Sequence, residues 1–340
     1  MPASKDQYGR SIDYLRISVT DRCNLRCVYC MGEDGVADKL RHDEILSYDE
    51  IERFARRAVR FGIRRIRLTG GEPLVRRDLA DLVAALKRIG QIEDISLTTN
   101  GILLPKFAAE LKASGLDRVN ISLDTLDKEA YRRLTRLGEL SRALAAIDTA
   151  LEYHFDPVKV NMVVMRSYQQ DLFGFARLSI ERPLHIRFIE YMPVGLSSGY
   201  QNQGWRDDEV IDSAEVIATI SATGEASGLG PLLPLAGGDS FLPAGGGPAR
   251  YWRFAGAAGT VGVISPLSNH FCGRCNRLRL TAEGRLRPCL FSDVELDARA
   301  ALRLGDDSAI DAVIADALEI KPKEHGRLQS TRRLMSQIGG

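Results

Sequence analysis

Asp13-Tyr-Leu-Arg16-Ile-Ser-Val19 runs directly into Thr20-Asp-Arg-Cys23-Asn-Leu-Arg-Cys27-Val-Tyr29-Cys30, and the fold is decided at this junction. The first seven residues alternate in polarity and are rich in β-branched side chains, so they read as a strand. Three cysteines within eight positions then occupy the loop at the end of that strand. Further on, Ser47-Tyr-Asp-Glu50 forms a capping box, in which the serine oxygen and the glutamate carboxylate satisfy exposed amides. The apolar residues after it recur at helical spacing as far as Gly62. Residues 64–69 then read as a strand, 78–89 as a helix and 94–99 as a strand. The alternation goes on with a helix over 105–114, a strand over 118–123, helix in two pieces over 127–153, a strand over 157–164, a helix over 172–180 and a strand over 185–190.

Such alternation predicts parallel strands joined by crossover helices, and its length suits a curled sheet or incomplete barrel. Polar landmarks recur at the carboxyl ends of the strands. These are the cysteine loop, Gly70-Gly71-Glu72-Pro73, Thr98-Thr99-Asn100-Gly101, Ser122-Leu123-Asp124 and Tyr191-Met192-Pro193. Any one of them alone could be turn chemistry. Their shared rim is where parallel barrels place their active sites, so one common pocket is expected.

The chain has 340 residues, with 46 Lys plus Arg against 45 Asp plus Glu and 44% hydrophobic residues. This composition can fill a core and excludes intrinsic disorder and collagen-like repeats. No apolar run approaches the roughly 18 residues that span a bilayer, and the polar start has no apolar centre of a signal peptide. The expectation is a cytoplasmic protein with no membrane partner. The near-zero net charge gives no reason to expect nucleic acid, although local basic clusters could hold a phosphorylated small molecule.

The six cysteines fall into two sets of three: Cys23, Cys27 and Cys30, then Cys272, Cys275 and Cys289. Core cysteines would not cluster at such short gaps, and odd-numbered sets pair badly as disulfides. A structural zinc ion wants four ligands, which His270 could complete for the second set, and that alternative stays open here. The first set has no histidine within ten residues. An iron-sulfur cube accepts three thiolates and leaves one iron open to an exogenous ligand.

The C-x3-C-x2-C spacing of Cys23, Cys27 and Cys30 resembles the signature of the radical S-adenosylmethionine (SAM) enzymes. With it stand Ile66-Arg67-Leu-Thr-Gly-Gly-Glu-Pro73, the Thr-Thr-Asn-Gly turn, Phe271-Cys-Gly-Arg-Cys-Asn-Arg-Leu-Arg279 and the terminal Gly339-Gly340. Together these resemble, over nearly the whole chain, the GTP 3′,8-cyclase family of molybdenum cofactor biosynthesis. The resemblance implies an incomplete (β/α)6 TIM-like barrel of the radical SAM type, with a smaller C-terminal region carrying a second iron-sulfur cluster. It implies two [4Fe-4S] clusters, one on Cys23, Cys27 and Cys30 that chelates and cleaves SAM, the other on Cys272, Cys275 and Cys289 that binds the guanine of GTP. The adenosyl radical would take hydrogen from C3′ of GTP, and the sugar radical would add to C8.

By the same resemblance Tyr29, Gly71, Ser122 and Met192 contact SAM, while Arg16, Arg67, Thr98, Lys159, Arg277 and Arg279 contact GTP. Arg16, Arg277, Arg279, Gly339 and Gly340 are implied in catalysis, the two glycines by threading toward the site. Gly71 is expected to be a glycine so that bare backbone can approach the methionine part of SAM. Cationic forks suit the triphosphate, and basic residues on strands facing a barrel interior would be costly without an anion. Implied partners are an external electron donor and, downstream, cyclic pyranopterin monophosphate synthase, with a monomer and a homodimer both left open. The expected organisation is a partial barrel over 1–220, a Gly/Ala/Pro-rich linker or loop over 221–249, and a C-terminal region over 250–340. Gly32 stands where the family often has proline.

Overall fold

The computed structural model describes residues 5–36, 39–195, 205–326 and 331–339. Six strands build the barrel wall: β1 (Tyr14–Ser18), β2 (Arg65–Thr69), β3 (Asp94–Thr99), β4 (Arg118–Ser122), β5 (Val158–Val164) and β6 (Leu184–Glu190). Between them run α1 (Tyr48–Ala58), α2 (Leu79–Lys87), α3 (Leu104–Ala113), the pair α4 (Lys128–Thr135) and α5 (Leu140–Glu152), and α6 (Leu172–Glu181). These are the six units read from the sequence. The capping box forms as expected, with Glu50 N–H donating to Ser47 Oγ and Ser47 N–H donating to the Glu50 carboxylate.

The six strands pair in chain order and in parallel. All five residues of β1 are buried, as befits a parallel strand covered on both faces. Leu15, Ile17, Ile66, Leu68, Ile95, Leu97, Val119 and Ile121 point outward into the layer beneath the helices and join one continuous core. The alternate residues point into the barrel.

After α7 (Ser213–Ala226) the chain adds β7 (Leu233–Pro234), β8 (Arg250–Arg253), β9 (Thr260–Ile264), β10 (Arg277–Leu280), β11 (Arg285–Arg287) and β12 (Leu296–Asp297). These strands do not form a separate sheet. β9 pairs in parallel with β6 at one end of the barrel wall and β10 in parallel with β1 at the other. Among the described residues the sheet therefore has twelve strands and two free ends, so the barrel is open. The helices α8 (Ala298–Leu304) and α9 (Asp307–Glu319) pack back on α1, where Arg57 bridges Asp307 and Asp311.

The Gly/Ala/Pro-rich stretch begins inside α7 and ends across the floor of the barrel. Lys159, near the start of β5, donates to the Ala244 carbonyl at 2.5 Å. A Cβ on Gly245 would lie 2.4 Å from the guanidinium carbon of Arg118, the first residue of β4. Gly245 has φ +107°, so both space and backbone conformation call for glycine there.

Candidate active site

The cysteine loop and the Gly-Gly-Glu-Pro loop grip each other at the barrel mouth. Gly71 N–H donates to the Thr20 carbonyl and Glu72 N–H to the Arg22 carbonyl, both at 2.8 Å. A Cβ on Gly71 would stand 2.2 Å from the Arg22 carbonyl oxygen. The close approach that needs Gly71 is therefore to the backbone of the cysteine loop, an additional reason beyond the ligand contact expected from sequence. Glu72 was quoted in its motif without a role. Its buried carboxylate accepts from Leu74 N–H, Asn100 N–H and the Thr99 hydroxyl, fastening the end of β2 to the end of β3. Burial outweighs those three bonds and raises it to about 7.

Both cysteine sets line one cavity with Tyr29, Arg16, Arg67, Gly71, Thr98, Ser122, Met192, Arg277 and Arg279. Each thiol is partly exposed. Burial pushes Cys23 up to about 11 and Cys30 up to about 12. At Cys275 burial acts in the same sense, but Arg277 and Lys321 together outweigh it and bring the thiol to about 6. Among the described residues no three His, Cys, Asp or Glu side chains gather around a single-ion position. Three cysteine sulfurs on one short loop, facing an open cavity, fit a polynuclear group with a free corner that would bind them as thiolates.

Tyr29, between two cysteines, donates to the Asp124 carboxylate at 2.7 Å. Asp124 also accepts from Val163 N–H, and burial raises it to about 6. Ser122 ends β4, and Met192 packs beside Cys289 and Phe291. The Thr98 hydroxyl oxygen is buried with no hydrogen-bond partner, an orphan aimed where a ligand would complete it.

Below the mouth lies a band of cations created by strand register. Arg16 on β1 is directly opposite Arg279 on β10 and Arg67 on β2, so three buried arginines sit side by side. Burial and then its two arginine neighbours depress Arg16 well below the usual range. Burial likewise lowers Arg67 to about 10 and, with Arg277, Arg279 to about 9. Lys159 is depressed well below its usual range by burial and by Arg187, Arg118 and Arg67. Such crowded, buried cations are chemically suited to an anionic ligand.

A further cation of this band, Arg187, and the tyrosine beside it, Tyr14, carry no motif signal in the sequence reading. Arg187 of β6 faces Asn161 and Asn120, and Tyr14 of β1 lies under the Arg67 guanidinium, 5.3 Å from its ring centre. The inward alternation of β6 was the signal that could have found Arg187. Arg277 stacks on Phe271, while Arg279 donates to the Gly339 carbonyl at 2.6 Å. Gly339, with φ +73°, sits against Thr69 inside the mouth. Gly340 lies outside the described residues. His270 is exposed, its ring 6.0 Å from that of His325.

A parallel open barrel whose first rim loop presents three thiolates into a cavity that also reaches a polyanion-ready floor defines a radical SAM enzyme. Residues 17–174 match the radical SAM superfamily, and residues 184–327 match the molybdenum cofactor synthesis C-terminal family. The chain is 52% identical to a GTP 3′,8-cyclase of Pelotomaculum thermopropionicum, covering 99% of this chain and 100% of that one. It is 48% identical to the GTP 3′,8-cyclase of Heliobacterium modesticaldum over 98% and 99%. The fold is also that of Streptococcus suis SuiB, solved bound to S-adenosylmethionine, with TM-score 0.56 at 17% identity over 91% of this chain and 67% of that one. The chain belongs to the GTP 3′,8-cyclase family.

Proposed function

We infer that this chain converts GTP to (8S)-3′,8-cyclo-7,8-dihydroguanosine 5′-triphosphate, an early step of molybdenum cofactor biosynthesis. The observation that carries this reading is one cavity bounded by two cysteine triplets and floored by buried arginines. Cys23, Cys27 and Cys30 would hold one [4Fe-4S] cluster and Cys272, Cys275 and Cys289 the other; when bound, the first supplies the electron that splits SAM and the second an open iron for guanine. Arg16, Arg67, Lys159, Arg277 and Arg279, joined by Arg187, bind the triphosphate by charge-assisted hydrogen bonds and so fix the ribose relative to SAM. Thr98 hydrogen-bonds the nucleotide. Tyr29, Gly71, Ser122 and Met192 enclose SAM and exclude water from its reactive bond. Gly339 closes the pocket over Arg279, and Gly340 is assigned to catalysis with it. In this reading residues 1–220 form the catalytic barrel, 221–249 its floor loop and 250–340 the region of the second cluster. An external one-electron donor and a cytoplasmic setting complete the reading, with cyclic pyranopterin monophosphate synthase consuming the product. No helix among the described residues is long and apolar enough to cross a membrane.

The test is an anaerobic incubation of the iron-reconstituted protein with dithionite, SAM and GTP. Deoxyadenosine and cyclised GTP are expected together. Deoxyadenosine with unchanged GTP would point to another substrate, and neither product from protein with intact clusters would refute the reading.

A pH dependence follows from Tyr14. Burial raises its phenol, but Arg67, Arg118 and Arg16 outweigh that and bring it to about 8. A polyanion among those arginines neutralises them and drives the phenol back toward its ordinary value near 10. Binding is then coupled to proton uptake, so GTP affinity falls as pH rises through 8. In Tyr14→Phe this part of the pH profile of the GTP dissociation constant is expected to flatten; an identical slope in both proteins would exclude Tyr14 as its source.

A further inference from the structure

The loop that carries Cys289 also carries Asp293 and Glu295, and both carboxylates reach the C-terminal tail. Arg287, whose side chain is fully buried, donates to the Glu295 carboxylate, to the Ser292 carbonyl and to the Thr331 hydroxyl. Arg333 of the tail forks onto the same Glu295 carboxylate at 2.9 and 2.7 Å, and lies 2.6 Å from Glu283. Asp293 accepts from the Thr331 hydroxyl and from Arg332 N–H. Arg287, Arg333, Glu295 and Glu283, with Asp293 beside them, thus form an ion cluster that bridges the β10–β11 and β11–β12 turns and the tail.

Beyond the cluster the tail enters the barrel mouth. Leu334 packs against Met31 and Val36 beside Cys23 and Cys30, while Ile338 packs with Val194 and Phe291 beside Met192 and Cys289. The short helix α10 (Met335–Ile338) therefore spans the gap between the two cysteine sets and delivers the Gly339 carbonyl to Arg279. These apolar anchors are few and the segment is short, so the ion pairs at its root decide whether it stays docked.

We propose that Glu295 is a positioning residue that, through Arg287 and Arg333, docks the C-terminal tail in the barrel mouth, making docking a step separable from SAM cleavage. Glu295 touches no substrate. It acts by holding Arg333, and hence Leu334 to Gly339, over the cavity. Losing the Glu295 charge removes the partner that Arg333 has only when docked, and so penalises the docked state more than the released one. The functional half of this inference rests on the cyclase reading; the docking half does not.

The experiment uses the full chain with both clusters reconstituted and compares Glu295→Gln, Arg333→Met and Arg333→Lys with the parent. Amide hydrogen exchange is read over residues 331–338, with β3 and β4 as the internal reference, and the ratio of cyclised GTP to deoxyadenosine is measured alongside. Glu295→Gln and Arg333→Met are expected to speed tail exchange roughly tenfold or more, the size of effect a broken partly buried pair produces, with the reference strands unchanged. The product ratio is expected to fall by a similar factor, and Arg333→Lys, which keeps the charge, to stay within about threefold of the parent. Unchanged tail exchange in both neutralising variants would overturn the proposal, as would faster exchange with an unchanged product ratio. If Glu295→Gln loosens the reference strands too, Arg333→Met, altered only on the tail side, decides the matter. A parent that cleaves SAM but never cyclises GTP would refute the cyclase reading, and the exchange data would still judge the docking.

Discussion

Arg16→Met is expected to make the substrate-free protein more stable by about 1–3 kcal/mol while lowering kcat/KM for GTP by about ten- to hundredfold. The two effects have one cause. Arg16 is buried on β1 between Arg279 and Arg67, and burial followed by those two neighbours disfavours its charge in the folded state. Since guanidinium stays protonated near neutral pH, that disfavour is a standing cost to folding in the absence of an anion. Methionine has similar length, keeps the apolar stem contacts and removes the charge. On the cyclase reading the triphosphate loses a charge-assisted, often bidentate partner, and an interaction of that kind is worth roughly 1.5–3 kcal/mol. Thermal unfolding without nucleotide and GTP binding by calorimetry check the pair of signs. GTP should raise the Tm of the parent by mass action and leave that of the variant almost unmoved. A variant less stable than the parent without GTP would mean that the arginine band is internally compensated and is not waiting for an anion.

Cys27→Ala and Cys275→Ala are expected to separate the two halves of the chemistry. Two thiolates cannot hold a cube against solvent as three do, so each variant should retain about four irons per chain where the parent holds about eight. Cys27→Ala loses the site that activates SAM, and deoxyadenosine formation should drop by at least about ten-thousandfold, because no other group in the cavity supplies that electron. Cys275→Ala should still cleave SAM yet form no cyclised GTP. Iron analysis together with product chromatography distinguishes these outcomes. Cyclisation surviving in Cys275→Ala would remove the second triplet from the reaction, and a parent-like iron count in either variant would remove that cysteine from its cluster.

Much of the catalytic wall could be read along the chain. Strand and helix periods alternate cleanly from 13 to 190 because each crossover unit folds by local amphipathicity, and the first triplet needs only one loop. Arg16, Arg67 and Lys159 were singled out by the family resemblance, since alternation places a side chain on one face of a strand without saying which face turns inward. Arg187 and Tyr14 obey that rule too, but nothing local marks a pocket-facing arginine or tyrosine until their neighbours are known. The motif around Glu72 was visible, whereas its role of fastening β2 to β3 depends on Asn100 and Thr99, nearly thirty residues away. The glycine-rich stretch reads as a linker or long loop because low charge and high glycine content describe both; that it touches Lys159 and Arg118 at the barrel floor is a long-range contact no local pattern shows.

By itself, the sequence determined the parallel open barrel, the two thiolate triplets and the chemistry they suit, because strand alternation, helix capping and ligand spacing are short-range properties of a chain. Tertiary structure alone decided that β9 and β10 would close onto β6 and β1, bringing Cys272, Cys275 and Cys289 to the mouth that holds Cys23, Cys27 and Cys30. It also decided that Arg279, Arg16 and Arg67 would lie in one row and that Glu295 would grip the tail. Those arrangements depend on contacts between segments distant in the chain, β1 and β10 by more than two hundred residues, whose register hydrogen bonding across the assembled sheet sets and no local pattern encodes.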